Sequence, residues 1–304
     1  MPAESTGTGL IIQAQSGFFT VATEQGTVVC QLRGKLKQGR AKGDLAALGD
    51  RVQLQVLPDG SGVIERVEPR VRAIVRLDPR PRGVYRQVLL ANADQAAFIF
   101  ACAHPEPRLR MLDRFLVIAE KQGVPPIIVA NKIDLVSEQG ARELFAAYGP
   151  AGYSVLYTSA TTGAGVDQLA QCLKGKITVL AGPSGAGKSS LLNAIHPGLG
   201  LHVKDVGAVN KGQHTTVVRQ LYPLGDGSSY VADTPGWKSL ALWDTQPEEV
   251  DAYFPEIRTL VSECKFSDCS HTHEPGCAVR AAVEHGRLHP GRYESYVRLR
   301  AGEV

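Results

Sequence analysis

The amino-acid sequence predicts a multidomain protein in which an OB-fold β-barrel precedes a central α/β domain and a helical metal-binding module follows it. Three observations predict this class. The chain begins with short strand-like runs between turn residues, continues with alternating apolar strands and helices, and carries clustered cysteines near its C-terminus. Where these patterns change, we place the boundaries, with the barrel over residues 1–72, the α/β domain over 73–241 and the helical module over 242–304.

Size and composition are those of a globular protein. The 304 residues are 43% hydrophobic and 21% charged, which is typical of soluble domains. No apolar run reaches about 18 residues, the length of a membrane-spanning helix, and the N-terminus lacks the basic start and apolar run of a secretory signal. We therefore expect a cytoplasmic protein that is a monomer and has no membrane partner. In that compartment, clustered cysteines indicate a metal site sooner than a disulfide.

The N-terminal region reads as four or five short strands. Apolar-rich runs separated by Gly, Asp and Pro occupy residues 18–22, 26–32, 51–56 and 62–67. Asp59 and Gly60 form a strong candidate for a hairpin turn. Such a pattern suits an OB-fold, although an SH3-like barrel would produce much the same sequence. Residues 78–83, rich in Pro and Arg, read as a linker.

The middle of the chain alternates strands with helices. Buried-type strand runs occupy residues 97–101, 126–130, 155–158, 177–181 and 230–232. Helical stretches occupy residues 108–122, 141–147 and 166–173, and the tail from about residue 243 also reads as helical. This alternation predicts a parallel sheet that binds its ligands at the carboxyl ends of its strands.

A phosphate-binding loop follows the strand at 177–181. The segment consists of Gly182, Pro183, Ser184, Gly185, Ala186, Gly187, Lys188, Ser189 and Ser190. It fits the pattern G-x-x-x-x-G-K-[ST] and lies between a strand and a helix, which is the context that this motif requires. Its glycines let the backbone approach phosphates. We expect Lys188 to neutralise β- and γ-phosphate charge and the Ser189 hydroxyl to bind Mg²⁺.

A guanine-reading motif precedes the phosphate loop. Asn131, Lys132, Ile133 and Asp134 follow the strand at 126–130 and fit the NKxD pattern. The Asp134 carboxylate can accept hydrogen bonds from guanine N1–H and its exocyclic amine, a donor pair that adenine lacks. We expect Lys132 to lie along the base and Asn131 to connect this loop to the phosphate loop. The motif therefore predicts GTP and GDP as ligands.

Ser159 and Ala160 provide a second guanine contact. They follow Thr158 at the end of the next strand. They match the short GTPase element whose backbone contacts guanine O6.

The remaining nucleotide motifs follow the phosphate loop. Asp233 and Gly236 fit D-x-x-G, with Asp233 expected to hold Mg²⁺ through water and Gly236 to face the γ-phosphate. Between them and the phosphate loop lies a candidate switch segment, in which we favour Thr215 over Thr216 as a Mg²⁺ ligand. Both threonines also suit an ordinary strand start.

The residue after D-x-x-G bears on hydrolysis. Ras-like enzymes place a glutamine there to orient the attacking water, whereas this chain has Trp237. Intrinsic turnover should therefore be slow. His214 is the candidate to orient the water, and its alternative is a solvated loop histidine. The candidate catalytic residues are thus His214, Lys188 and Thr215.

Four metal-binding side chains lie close together near the C-terminus. Cys264, Cys269, His271 and Cys277 supply three thiolates and one imidazole, the donor set of a structural Zn²⁺ site. His273 is a rival to His271. The alternative is that the cysteines are reduced and pack as small hydrophobic side chains.

The order of the motifs identifies a circular permutation. NKxD and Ser159–Ala160 come before the phosphate loop, the switch threonine and D-x-x-G, whereas ordinary GTPases begin with the phosphate loop. With these residues and the cysteine cluster, the chain closely resembles the YjeQ/RsgA family of circularly permuted GTPases over essentially its whole length. The resemblance implies an OB-fold N-terminus, a C-terminal zinc module, GTP hydrolysis stimulated by the small ribosomal subunit, and a role in the late maturation of that subunit.

Local excesses of positive charge indicate a nucleic-acid partner. Five cations and no acid lie between residues 31 and 43, seven arginines and three acids between 65 and 86, and five arginines and two glutamates between 280 and 300. Any one stretch alone could be a solvated face, but three of them beside a GTPase core favour ribosomal RNA.

Three other functions remain open on sequence grounds. One is an RNA-binding scaffold in which GTP is a structural ligand. A second is another phosphate-loop enzyme, such as a small-molecule kinase, against which the NKxD motif argues. A third is a permuted GTPase that acts on the large ribosomal subunit, although the barrel and zinc module favour the small one.

Overall fold

The computed structural model describes residues 5–38, 44–78, 85–200, 219–233 and 245–303. The chain divides into two compact units, each assembled from separate stretches of sequence. The first unit comprises Met1–Gln95, Leu173–Val179 and Gly207–Pro235, and the second comprises Ala96–Cys172, Leu180–Val206 and Gly236–Val304.

The described residues contain thirteen strands and seven α-helices. The strands are β1 (Ser5–Gln15), β2 (Phe18–Thr23), β3 (Gly26–Leu32), β4 (Arg51–Val56), β5 (Gly62–Val67), β6 (Ala73–Asp78), β7 (Tyr85–Ala91), β8 (Gln95–Ala101), β9 (Pro126–Asn131), β10 (Val155–Thr158), β11 (Ile177–Ala181), β12 (Arg219–Pro223) and β13 (Tyr230–Asp233). The helices are α1 (Leu109–Gln122), α2 (Glu138–Leu144), α3 (Val166–Leu173), α4 (Lys188–Ile195), α5 (Pro255–Arg258), α6 (Ala278–Glu284) and α7 (Pro290–Arg300).

Strands β1 to β5 form the predicted N-terminal barrel. They run in the order β1-β2-β3-β5-β4, and a pairing of β1 with β4 closes the barrel. The β3–β5 pair is parallel and the other pairs are antiparallel. This is the five-stranded Greek-key arrangement of an OB-fold. Alternate residues point inward and form one apolar core that includes Ile11, Val21, Leu54 and Ile64.

The first unit also contains two antiparallel pairs outside the barrel. Strands β6 and β7 pair over residues that flank the predicted linker, most of which lies outside the described residues. Strands β12 and β13 pair through Leu221 and Ala232. Strand β12 also pairs with β1, opposite Gln13 and Ala14, so it extends the sheet of the barrel.

The second unit contains the predicted parallel sheet. Strand β8 pairs in parallel with β9, and β9 pairs in parallel with β10. All seven residues of β8 are buried, which explains its continuous apolar sequence. Helix α1 packs on this strand, since the ring centroid of Phe115 lies 5.5 Å from that of Phe98 and 6.1 Å from that of Phe100.

The C-terminal part of the second unit is a small helical module. Its apolar core comes from the 3₁₀ turn Pro247–Tyr253 and from helices α5, α6 and α7, and includes Phe254, Ile257, Val279 and Tyr296. Val117 of α1 belongs to the same core. The module therefore packs directly against α1.

Among the helices in the described ranges, none combines the length and apolar character needed to cross a lipid bilayer.

Candidate nucleotide and metal sites

The phosphate loop connects β11 to α4, as its sequence predicts. Gly182 has a φ of 155°, and a Cβ atom there would lie 2.0 Å from the carbonyl oxygen of Ile99. Gly187 has a φ of 92°, and its Cβ would lie 2.3 Å from Nδ2 of Asn131. Only glycine fits at these two positions, because the loop backbone lies directly against β8 and against the end of β9.

Lys188 is held inside the loop. Lys188 is 6% exposed, and its Nζ donates hydrogen bonds to the carbonyl oxygens of Gly182 and Pro183 at 3.0 Å each. Ser189, one residue into α4, is 3% exposed. A buried ammonium group beside the N–H groups of a helix N-terminus makes a cradle for an anion. The loop therefore fits the phosphates of a nucleotide.

Asn131 joins the guanine-reading loop to the phosphate loop. Its side chain is 1% exposed, and Nδ2 donates to the carbonyl oxygen of Ala186 at 2.8 Å. The adjacent Lys132 has a φ of 63°, which turns the chain so that Ile133–Leu135 forms a 3₁₀ turn. Asp134 lies in this turn and is exposed, so its carboxylate is accessible to a ligand.

Thr158 fixes the side chain of Asn131, a role that sequence reasoning missed. Its Oγ1 donates to Oδ1 of Asn131 at 3.1 Å, and Thr158 is fully buried. The side-chain oxygen of Asn131 therefore accepts one hydrogen bond while its nitrogen donates another, and together these bonds fix the orientation of the amide. The signal was the position of Thr158 immediately before Ser159 and Ala160. Ser159 is also buried, and its Oγ accepts from the N–H of Thr162 at 3.1 Å.

A third segment, His104 and Pro105, lies beside the same two loops, and no sequence motif identifies it. The carbonyl oxygen of His104 accepts a hydrogen bond from Nζ of Lys132. Cδ of Pro105 lies 3.5 Å from the position of a Cβ on Gly185. Nearby, burial raises the pKa of the Cys102 thiol to about 11, with a smaller contribution from the Asp134 carboxylate. Cys102 is therefore a neutral thiol near the guanine-reading loop.

The structure describes the predicted switch residues only in part. Asp233 ends β13, and only its backbone is described. His214, Thr215, Gly236 and Trp237 lie outside the described residues, so their roles stay predictions.

The cysteine cluster folds into one compact group. The ligand atoms of Cys264, Cys269, His271 and Cys277 all lie within 4.8 Å of one another. The Sγ atoms of Cys264 and Cys277 are each 3.5 Å from Nδ1 of His271. A tetrahedral Zn²⁺ with its usual bond lengths would separate sulfur and nitrogen ligands by about 3.5 Å. The rival side chain, His273, is 83% exposed and lies outside the group.

The surroundings of His271 favour the neutral imidazole, which is the form that binds a metal ion. Burial lowers the pKa of the imidazole, so it is neutral near pH 7 and Nδ1 can offer a lone pair. Nε2 lies 3.7 Å from Oδ2 of Asp251, the carboxylate that would orient the ring. Burial also raises the pKa of Cys269 to about 12, so a metal ion would have to displace its thiol proton. The donor set and its spacing fit Zn²⁺.

Comparison with known families decides what kind of protein this fold represents. A family model described as RsgA GTPase matches residues 67–243, and one described as RsgA N-terminal domain matches residues 8–64. This chain belongs to the RsgA family of GTPases. The predicted GTPase identity is therefore confirmed.

Relatives in the RsgA family match along nearly the full length of the chain. A protein from Gemmatimonas aurantiaca named "Small ribosomal subunit biogenesis GTPase RsgA" is 47% identical over 298 residues, which is 96% of each chain. A protein of the same name from Moorella thermoacetica is 41% identical over 290 residues, covering 95% of this chain and 94% of its own.

Solved structures of similar proteins share the fold. YjeQ from Thermotoga maritima has a TM-score of 0.80 and 38% identity, over 98% of this chain and 99% of its own. YloQ, described as a circularly permuted GTPase, has a TM-score of 0.75 and 32% identity, over 98% and 95% of the two chains. The permuted order predicted from the motifs of this RsgA-family chain is thus confirmed.

Proposed function

We propose that this protein hydrolyses GTP while bound to the small ribosomal subunit and assists the late maturation of that subunit in the cytoplasm. Family membership and the names of the full-length relatives support this function. The observation that carries it is the bonding of Asn131 to both Ala186 and Thr158, which brings the guanine-reading and phosphate-binding loops together. That arrangement suits a guanine nucleotide, with Asp134 accepting from the base.

The residues of the pocket would position the nucleotide and the attacking water and would stabilise negative charge on the phosphates. Lys188 would stabilise negative charge on the transferred phosphate oxygens, since the transition state of phosphoryl transfer spreads charge over them. Ser189, Thr215 and Asp233 would hold Mg²⁺, which supplies further neutralisation of the phosphates. We assign His214 to orienting the attacking water, because Trp237 stands where Ras-like enzymes have glutamine.

We also infer that Cys264, Cys269, His271 and Cys277 hold one structural Zn²⁺. Four protein ligands would close the coordination sphere, which suits a structural metal and leaves no position for a substrate. The proximity of all four ligand atoms supports this assignment. We infer in addition that the protein acts as a monomer.

The described residues include both exposed and buried members of the three basic stretches. Arg33 and Lys35 are exposed beside the barrel, and Arg287 is exposed in the tail. Arg292 was counted in the basic tail, but it is 1% exposed and forms buried ion pairs. Arg292 is therefore buried away from any RNA partner.

Phosphate release is the test of this function. We expect GTP hydrolysis to be slow alone, to rise at least tenfold with purified small subunits, and to stay at its basal rate with large subunits or with ATP as substrate. An Asp134→Ala variant should lose the preference for GTP. Equal stimulation by large subunits would favour the large-subunit alternative, and no stimulated release would favour the scaffold.

A further inference from the structure

Arg292 on α7 is a buried cation held by two carboxylates. Its NH1 group donates to Oδ1 of Asp113 and its Nε to Oε1 of Glu256, both at 2.7 Å. Its Cζ lies 4.6 Å from the ring centroid of Phe254. Burial alone would lower the pKa of Arg292, but Asp113 and Glu256 outweigh it and raise the pKa. The guanidinium is therefore charged and depends on both carboxylates.

Asp113 anchors this network on α1. Asp113 is 2% exposed. Its Oδ1 also accepts a hydrogen bond from the hydroxyl of Tyr148 at 2.9 Å, and its Oδ2 accepts one from the hydroxyl of Ser295. Two side chains of α7 thus bond one carboxylate of α1. Removing one partner from such a network leaves an uncompensated buried charge, which strongly destabilises a protein.

The same helix, α7, also holds the metal-binding loop. The hydroxyl of Tyr293 donates to the carbonyl oxygen of His271 at 2.8 Å, and that of Tyr296 to the carbonyl oxygen of Ser270 at 3.0 Å. These acceptors belong to one ligand of the cluster and to its chain neighbour. The position of the loop therefore depends on where α7 lies.

At its other end, α1 follows the segment that borders the nucleotide pocket. His104 accepts from Lys132, and Pro105 lies against Gly185 only a few residues before α1 begins at Leu109. A helix of fourteen residues is a rigid element about 21 Å long. Helix α1 thus connects the pocket to the helices that carry the metal loop.

We propose that Arg292 is a positioning residue that couples Zn²⁺ binding to guanine-nucleotide binding through α7 and α1. The inference rests on the proposed nucleotide and zinc sites. A small module of this kind has two states, folded with its metal and unfolded without it, and only the folded state brings Arg292 and Ser295 to Asp113. Coupling of this kind is reciprocal, so each ligand must raise the affinity for the other by the same factor.

Equilibrium zinc affinity with and without GDP tests the coupling. In the wild-type protein, competition with a chromogenic chelator should show that saturating GDP tightens Zn²⁺ binding at least fivefold. In Arg292→Met the GDP effect should fall below twofold. The matched control is Arg298→Met on the same helix, which removes an exposed ion pair with Glu294 and should keep the wild-type effect.

A milder variant protects the test against misfolding. Tyr293→Phe removes only the hydrogen bond to the metal loop, and it should at least halve the GDP effect while the protein stays folded. An unchanged GDP effect in both Arg292→Met and Tyr293→Phe would overturn the proposal, as would a wild-type protein that binds GDP with no change in zinc affinity. A wild-type protein that fails to bind GDP would instead refute the proposed function.

Discussion

Asn131 and Thr158 connect loops of the candidate nucleotide pocket. Asn131 bonds the phosphate loop through its amide nitrogen, and Thr158 holds the amide oxygen. Both residues are buried, so each lost hydrogen bond would leave a polar atom without a partner. The arrangement of these loops therefore depends on Thr158, which is fully buried.

Replacing Thr158 by valine should weaken nucleotide binding. Valine keeps the shape of threonine but cannot donate to Asn131, and an unsatisfied buried acceptor costs about 1–3 kcal/mol. We expect the Kd for GDP to rise about five- to 150-fold in a titration with a fluorescent nucleotide. Thr162→Val, an exposed change in the neighbouring loop, serves as the control. Equal Kd values for all three proteins would show that Thr158 does not position Asn131.

Among single residues, the sequence predicts the roles of those that belong to a contiguous motif. It does not predict contacts between residues that are far apart in the chain. Gly182 and Gly187 were predictable because the motif needs a backbone without side chains. The contact of His104 with Lys132 was not, since it uses a carbonyl group that any residue would supply. Arg292 read as part of an RNA-binding face because its partner Asp113 is 179 residues away.

Among the described elements, the metal-binding loop is one that we expect to need its ligand in order to fold. The described module, from residue 245 onward, has a small core, and without a cation its three clustered cysteines would lie close together around His271. Zinc-binding free energies in small modules reach about 10–16 kcal/mol, which exceeds the stability of most such modules.

Chelation should therefore unfold the module and spare the nucleotide site. We expect a strong chelator to reduce the helical circular dichroism signal and to open residues 245–303 to protease, while GDP still binds with lower affinity. Cys264→Ser should behave like the chelated protein, and Cys172→Ser, which changes a cysteine outside the cluster, like the wild type. An unchanged spectrum after complete zinc removal would contradict a structural metal.

Element boundaries were predictable where apolar periodicity is strong. Strands β2 to β5 and β8 to β11 agree closely with the predicted runs, and α1 ends where Gly123 adopts a φ of 65°. Strand β1 was missed because its start, with Ser, Thr and Gly, lacks apolar alternation. Helix α2 begins at Glu138, three residues before its predicted start, because Oγ of Ser137 accepts from the N–H of Gly140 at 3.0 Å and caps it.

At the scale of the whole molecule, the predicted motifs are divided between the two compact units. The guanine-reading motif, the phosphate loop and the metal cluster all belong to the second unit. The strand that ends at Asp233 belongs to the first unit, together with the barrel. Sequence predicted the order of the motifs, but the division follows from contacts between residues far apart in the chain.

The pairing of β12 with both β13 and β1 has a consequence for the barrel. Any shift of the strand that ends at Asp233 must strain or carry along Gln13 and Ala14, which face Gln220 and Arg219. With a non-hydrolysable GTP analogue in place of GDP, we expect slower deuterium uptake at these barrel amides and no change at the Gln53–Arg66 pair. Equal uptake at Gln13 and Ala14 in both nucleotide states would exclude this link. Main-chain bonds of this kind do not depend on side-chain identity, so the connection should tolerate wide sequence drift in both strands.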